Sequence, residues 1–200
     1  CDFLGYFPMI EIELKFQIPE TKRQALLKAI DPKKSQILPL KARYFDTPDR
    51  QLGNQGIALR QRLEGDRWVQ TLKAPGKSHL HRFEHNHDLG VLKQAPELDL
   101  NIYAQNSETW HILDAALNTQ KDQLQLQFET DIQRTLRVIH FEDSEIEVCL
   151  DVGEIRTTIA QKPVHEVEFE LKAGTVEGLL KFCFEWVKKY QLWLDVRSKA

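Results

Sequence analysis

Glu11-Ile12-Glu13-Leu14-Lys15-Phe16 carries a charge at every odd position and an apolar side chain at every even one. Successive side chains of a strand point to opposite faces, so this stretch reads as a β-strand with Glu11, Glu13 and Lys15 on one side. Ile12, Leu14 and Phe16 take the other. Towards the end of the chain Glu166-Val167-Glu168-Phe169-Glu170-Leu171 repeats the alternation and aims three carboxylates at one side of its sheet. Like charges at that spacing repel, so each run needs solvent, a cation or basic neighbours to hold its shape.

Period-two alternation continues outward from these two runs. It predicts strands over 10–18, 40–45, 57–63, 67–73, 79–89, 124–139, 145–151 and 164–172. Turn signals separate them at Thr47-Pro48-Asp49, Gly53-Asn54, Glu64-Gly65-Asp66, Pro75-Gly76 and Glu142-Asp143-Ser144. Helical spacing appears over 20–30, 107–117 and 175–190, the last with an apolar stripe of Leu179, Leu180, Phe182, Cys183, Trp186 and Val187. The segment between Gly90 and Asn106 has no period and reads as a long connection. The expected fold is α+β: a closed antiparallel β-barrel of about eight strands forming a tunnel, with helices packed outside.

A chain of 200 residues with 42% hydrophobic content supports one well-cored domain, placed at 9–200. Residues 1–8 precede the sole methionine, Met9, and are expected to be a leader or an appended remnant. The sequence stops at Val196-Arg197-Ser198-Lys199-Ala200, directly after an apolar stretch, which suggests an excised domain. A net charge of −3 argues against nucleic-acid binding driven by bulk electrostatics and turns attention to local clusters. The three cysteines, Cys1, Cys149 and Cys183, are widely spaced and form no CxxC, so neither a disulfide framework nor a zinc site is indicated. A reducing, cytoplasmic setting is expected. No run approaches the roughly 18 apolar residues of a membrane span.

The basic residues obey the same parity. Arg60 and Arg62 share a face opposite Ile57, Leu59 and Leu63; Lys73 ends the strand that begins at Trp68; Arg82 and Glu84 share a face. Arg134 and Lys199 complete the set. Any one such face reads simply as the solvated outside of a sheet. Together, strands with apolar residues opposite their charges fit a barrel whose outside lies under helices and whose inside is polar. A charged interior implies a charged ligand.

The sequence resembles the CYTH domains, or triphosphate tunnel metalloenzymes, over nearly its whole length from Met9. The resemblance rests on the ExExK strand of Glu11, Glu13 and Lys15, followed in order by Tyr44-Phe45-Asp46-Thr47-Pro48, Leu59-Arg60-Gln61-Arg62, Thr71-Leu72-Lys73-Ala74-Pro75-Gly76, Arg82-Phe83-Glu84, Leu150-Asp151-Val152-Gly153-Glu154 and the second acidic strand. Around 80–86 and 146–154 it is most similar to bacterial inorganic triphosphatases. Some of these carry a C-terminal helical domain, which would suit the abrupt end after Ala200.

The resemblance implies metal-dependent hydrolysis of tripolyphosphate to pyrophosphate and phosphate. It assigns Lys15, Arg60, Arg62, Lys73, Arg82, Arg134 and Lys199 to the phosphates, where guanidinium groups bind oxygens in pairs and lysines act as point charges. Carboxylates facing a polyanion need a cation between them, and hard oxygen ligands select Mg2+ or Mn2+. The metal falls to Glu11, Glu13, Glu168 and Glu170, with Glu166 an alternative by register and Asp151 an orienting or second-metal ligand. Glu11, Glu13, Lys15, Glu168 and Glu170 form the catalytic set.

Other features favour packing. His79, His81, His85 and His87 lie at the parity opposite Arg82 and Glu84 and point away from the charged face. Tyr44, Trp68, Trp110, Trp186 and Trp193 are expected to pack rather than stack on a ligand ring. No GKS or GKT occurs, so no P-loop is present. Thiamine triphosphatase, nucleoside triphosphatase, class IV adenylate cyclase and a non-catalytic polyphosphate-binding module are the rival readings, and two intact acidic strands favour catalysis.

Overall fold

The computed structural model describes residues 9–78 and 81–195. Residues 1–8, His79 and Lys199 lie outside them. The strands are β1 (Met9–Gln17), β2 (Gln36–Asp46), β3 (Ala58–Glu64), β4 (Arg67–Ser78), β5 (His81–Val91), β6 (Gln125–Phe141), β7 (Ser144–Arg156), β8 (Gln161–Ala173) and the short β9 (Trp193–Leu194). The helices are α1 (Arg23–Ile30), entered through a 3-10 turn at Glu20–Lys22, α2 (Ser107–Leu117) and α3 (Val176–Tyr190). No helix of the described residues is long and apolar enough to cross a membrane.

The strands follow the order β5-β4-β3-β2-β6-β7-β8-β1-β9, and β5 also pairs with β1. The order therefore closes on itself, which gives the expected antiparallel β-barrel topology with β9 added beside β1. All eight long strands predicted from alternation are present. β9 is too short to leave a periodic signal. The chain divides into two compact units, one centred on residues 41–129 and the other on 11–40 with the stretch from Thr130 onward.

In the first unit, β3, β4 and β5 form an antiparallel meander. Leu59, Leu72, Ala74 and Phe83 take the face opposite the charges and are buried with Leu113, Ala116 and Leu117 of α2. Each leucine so buried contributes roughly 1.5–3 kcal/mol. Asn106 caps α2 by accepting from the Thr109 amide at 2.9 Å. Two fully buried amides fasten the aperiodic connection across this face. Gln61 donates to the Glu97 carbonyl at 3.0 Å and Gln70 to the Asp99 carbonyl at 2.8 Å, while Gln61 also donates to Gln70 at 3.1 Å.

His85 belongs to this packing, as its parity requires. Its Nδ1 lies 2.7 Å from the Thr109 hydroxyl of α2 and its ring meets Tyr103 edge-on. Burial holds its pKa below the ordinary histidine range, with the neighbouring His87 charge adding to the effect. The unfolded chain then takes up the proton first, so the neutral ring stabilises the fold above about pH 6.5 and that contribution fades as pH falls through the depressed folded pKa. The urea midpoint is expected to drop between pH 7 and pH 5, and H85Q should flatten that slope.

In the second unit, α1 and α3 cover β1, β7 and β8. Phe16, Ile146, Val148, Leu150, Val167 and Phe169 pack against Leu26, Ile30, Leu179, Phe182, Cys183 and Tyr190. The Phe169 ring meets Phe16, Phe182 and Trp186 at 5.5–5.6 Å between centroids. Thr175 caps α3 through the Gly178 amide at 3.0 Å. Two expectations are corrected in this unit. Leu180 is 46% exposed, because it lies 100° round the helix from Leu179 and off the Leu179-Cys183-Trp186 stripe. Trp193 is 53% exposed on the two-residue β9, so it does not follow the other aromatics into the core.

Candidate metal and phosphate site

Register, which the sequence leaves open, organises the second unit's charges into ranks. Across β1 and β8, Glu13 pairs with Glu170, Lys15 with Glu168 and Gln17 with Glu166. Across β7 and β8, Glu147 pairs with Glu170, Cys149 with Glu168 and Asp151 with Glu166. Three adjacent strands thus present one face in three ranks. The outermost is Glu13, Glu170 and Glu147, and the innermost is Gln17, Glu166 and Asp151.

Ligand oxygens of Asp151, Glu166 and Glu168 all come within 4.8 Å of one another. Asp151 and Glu166 are 1% and 3% exposed, far drier than free carboxylates tolerate without counter-charge. Arg134 of β6 supplies part of it. Its Nε and Nη2 donate to the two Asp151 oxygens at 2.7 Å each, and Nη2 also donates to Glu168 Oε2 at 2.6 Å. Burial alone would lower the Arg134 pKa, but the charges of Glu168 and Asp151 outweigh it and hold the guanidinium well above its ordinary range. Lys15 Nζ lies 3.8 Å from Glu166 Oε2. Gln17 donates to Glu166 at 3.3 Å and to Asp195 at 2.8 Å.

Arg134 and Lys15 thus bring positive charge to these three carboxylates, and the rank of Glu13, Glu170 and Glu147 lies beside them. Lys172 donates to Glu170 at 2.9 Å; burial pulls its pKa down, but that hydrogen bond and the charges of Glu170, Glu147 and Glu11 leave it raised. Oxygen donors from two strands, close together and largely buried, fit a hard divalent cation. Of the residues assigned to a metal by resemblance, the structure draws Asp151, Glu166 and Glu168 into one cluster. Glu13 and Glu170 face each other in the outer rank, and Glu11 lies beyond them, where it acts on Lys172.

Cys149 sits between Glu147 and Asp151 on this face. Burial pushes its thiol pKa far up, so it is a neutral filler rather than a thiolate ligand. Glu147 was legible by parity alone, since it shares the odd register of Asp151, but the resemblance drew attention to β8 instead. Gln17 and Asp195 carry no charge-pattern signal.

The basic residues of the first unit follow their predicted parity. Lys73 stands opposite Glu84 in register and pairs with it at 2.7 Å. Glu84 also accepts from Asn86 at 2.8 Å, and Asn86 accepts from Thr71 at 2.6 Å. Arg60 lies opposite Thr71, Arg82 opposite Pro75, and Arg62 forms an ion pair with Glu64. Lys73 and Arg62 are about one-fifth exposed. Tyr44, buried, stacks on Phe128 at 4.5 Å, which bears out packing for that ring.

The sequence matches the CYTH domain family over residues 9–200. The chain belongs to the CYTH family. An inorganic triphosphatase from Haemophilus influenzae is 34% identical to it over 160 residues, which make up 78% of this chain and 43% of that protein. The chain therefore spans less than half the length of this curated relative. Among solved structures, a protein from Bacillus halodurans provisionally named an adenylate cyclase superposes with a TM-score of 0.63 at 22% identity, covering 94% of this chain and 93% of its own. An adenylyl cyclase candidate from Hippeastrum, with a dominant triphosphatase activity, gives 0.59 at 18% identity, with 95% and 91% covered. At these identities the two structures bear on the fold. The CYTH barrel and the ExExK strand of this chain agree with the resemblance read from its motifs.

Proposed function

We propose that this CYTH domain hydrolyses inorganic tripolyphosphate to pyrophosphate and phosphate with a bound Mg2+ or Mn2+. The observation that carries the reading is the convergence of Asp151, Glu166 and Glu168 beside Lys15 and Arg134. The triphosphatase relative at 34% identity supports the choice of substrate.

Asp151, Glu166 and Glu168 hold the cation, with Glu170 of β8 and Glu11 and Glu13 of the neighbouring β1 as the remaining acidic ligands. When bound, the metal polarises phosphoryl oxygens and lowers the pKa of coordinated water. Arg134 orients Asp151 and Glu168, and its remaining amino nitrogen is directed to phosphate. Lys15 holds positive charge beside Glu166 and meets the transferring phosphoryl group. Arg60, Arg62, Lys73, Arg82 and Lys199 bind phosphate oxygens. Each unit-charge pair at about 4 Å is worth roughly 4 kcal/mol at an effective dielectric of about 20, before desolvation is subtracted.

Phosphate release from tripolyphosphate, thiamine triphosphate and ATP, each with magnesium, with manganese and with chelator, tests the reading. Rapid metal-dependent release from tripolyphosphate is expected; ATP turnover with little on tripolyphosphate would overturn the substrate, and binding without turnover would make the domain a polyphosphate-binding module. R60A should chiefly raise KM for tripolyphosphate, by about 10–100-fold for one charge-assisted phosphate contact, with kcat little changed.

A further inference from the structure

The charged face of the second unit changes character sharply at one end. Two residues before Glu166 on β8 stands Val164, and two before Arg134 on β6 stands Ile132; both are buried and pack with Leu40 of β2. These three are 4–7% exposed, with Leu38 and Ile155 packed around them. Gly153 lies directly opposite Val164. A Cβ there would fall 2.0 Å from the Asp131 carbonyl oxygen and 2.9 Å from Ile132 Cα, so only glycine lets β6 close down at this point.

Exposure rises steadily away from that closure. The side chains of Glu166, Glu168, Glu170 and Lys172, successive on one face of β8, are 4%, 18%, 23% and 41% exposed. The driest carboxylates therefore lie nearest the apolar cluster, and the solvated ones furthest from it.

We infer that Leu40, Ile132 and Val164 make the charged face blind at the Asp151–Glu166 end, so that a phosphate chain enters past Lys172 and Glu170 with a free terminal phosphate leading. This inference rests on the proposed triphosphatase reading. A phosphate or an esterified extension pushed beyond Glu166 along this face meets the aliphatic side chains of Val164, Ile132 and Leu40, where a charge loses its hydration. The substrate must end there. A substituent is tolerated at the trailing end and excluded at the leading one.

The test uses methyl triphosphate, blocked at one end, and P1,P3-dimethyl triphosphate, blocked at both, as competitors of tripolyphosphate hydrolysis by the wild-type protein. The singly blocked compound should compete, and the doubly blocked one should have an inhibition constant at least about tenfold higher, the scale on which a pocket rejects an extra group. Equal competition by both, or exclusion of both, overturns the blind end. Opening the closure with V164A, or with L40A and V164A together, should narrow the gap between the competitors. Should those variants not fold, as judged by circular dichroism, P1,P4-dimethyl tetraphosphate, blocked at both ends but equal in charge to methyl triphosphate, decides in the wild type: exclusion is expected, and competition equal to that of methyl triphosphate overturns the blind end. Failure of the wild type to turn over tripolyphosphate is a separate result, which removes the functional reading instead.

Discussion

E168Q is expected to lower metal-dependent phosphate release from tripolyphosphate by at least about 100-fold, the upper end of losses seen when the partners of a metal ligand are removed. Glu168 occupies the middle rank of the face, beside Lys15 on β1 and Cys149 on β7. It shares the carboxylate cluster with Asp151 and Glu166 and accepts from Arg134 at 2.6 Å. Glutamine keeps the shape but brings a neutral amide, which is a poorer ligand for a hard cation and can turn a donor towards the guanidinium. The loss should appear as a higher metal concentration for half-maximal rate and as lower kcat at saturation, with KM for tripolyphosphate little moved. E147Q is the comparison. Glu147 shares the face but stands in the outer rank opposite Glu170, and its loss should cost less than about tenfold, below the roughly 10–100-fold range for an outer-shell partner. Full activity in E168Q would remove Glu168 from the metal set.

Alternation made the strands legible because each has one face on the core and one on charge. Glu11-Ile12-Glu13-Leu14-Lys15-Phe16 announces itself for that reason, and so does the second acidic run. Register is not local, however, and no sequence feature says that Gln17, rather than Glu13, lies opposite Glu166. The inward drift of the dry cluster to Asp151 and Glu166 follows from that register and from Arg134 reaching across from β6. The buried Gln61 and Gln70 were equally hidden. An amide on a strand looks like a surface residue until the carbonyls of a distant connection, here Glu97 and Asp99, arrive to satisfy it. Leu180 shows the converse, an apolar residue beside a helical stripe that its 100° offset leaves in solvent. Gly153 reads as part of a motif in the sequence. Its physical reason, the approach of the β6 backbone, needs a strand more than twenty residues away in the chain.

R134M should destabilise the metal-free protein by about 3–5 kcal/mol, the cost of removing one partner from a buried ion pair. Methionine fills much of the space of the arginine stem, so the effect isolates the guanidinium. Asp151, with its side chain 2% exposed, would lose both of its bonds at 2.7 Å, and Glu168 would lose the one at 2.6 Å. A divalent cation held by Asp151, Glu166 and Glu168 would supply the missing charge, and a ligand at 100 times its Kd adds about 2.7 kcal/mol to the folded state. Urea unfolding in chelator and in excess magnesium measures both quantities. The variant should recover a larger part of its midpoint on adding magnesium than the wild type gains, because in the wild type the cation joins a cluster that Arg134 already balances in part. R134K should fall between the two, since lysine restores the charge without the two-point fork. If R134M unfolds no earlier than wild type in chelator, the guanidinium does not hold these carboxylates together. If it is destabilised and magnesium restores nothing, the three carboxylates do not bind the metal and the cation belongs with the outer rank of Glu13 and Glu170.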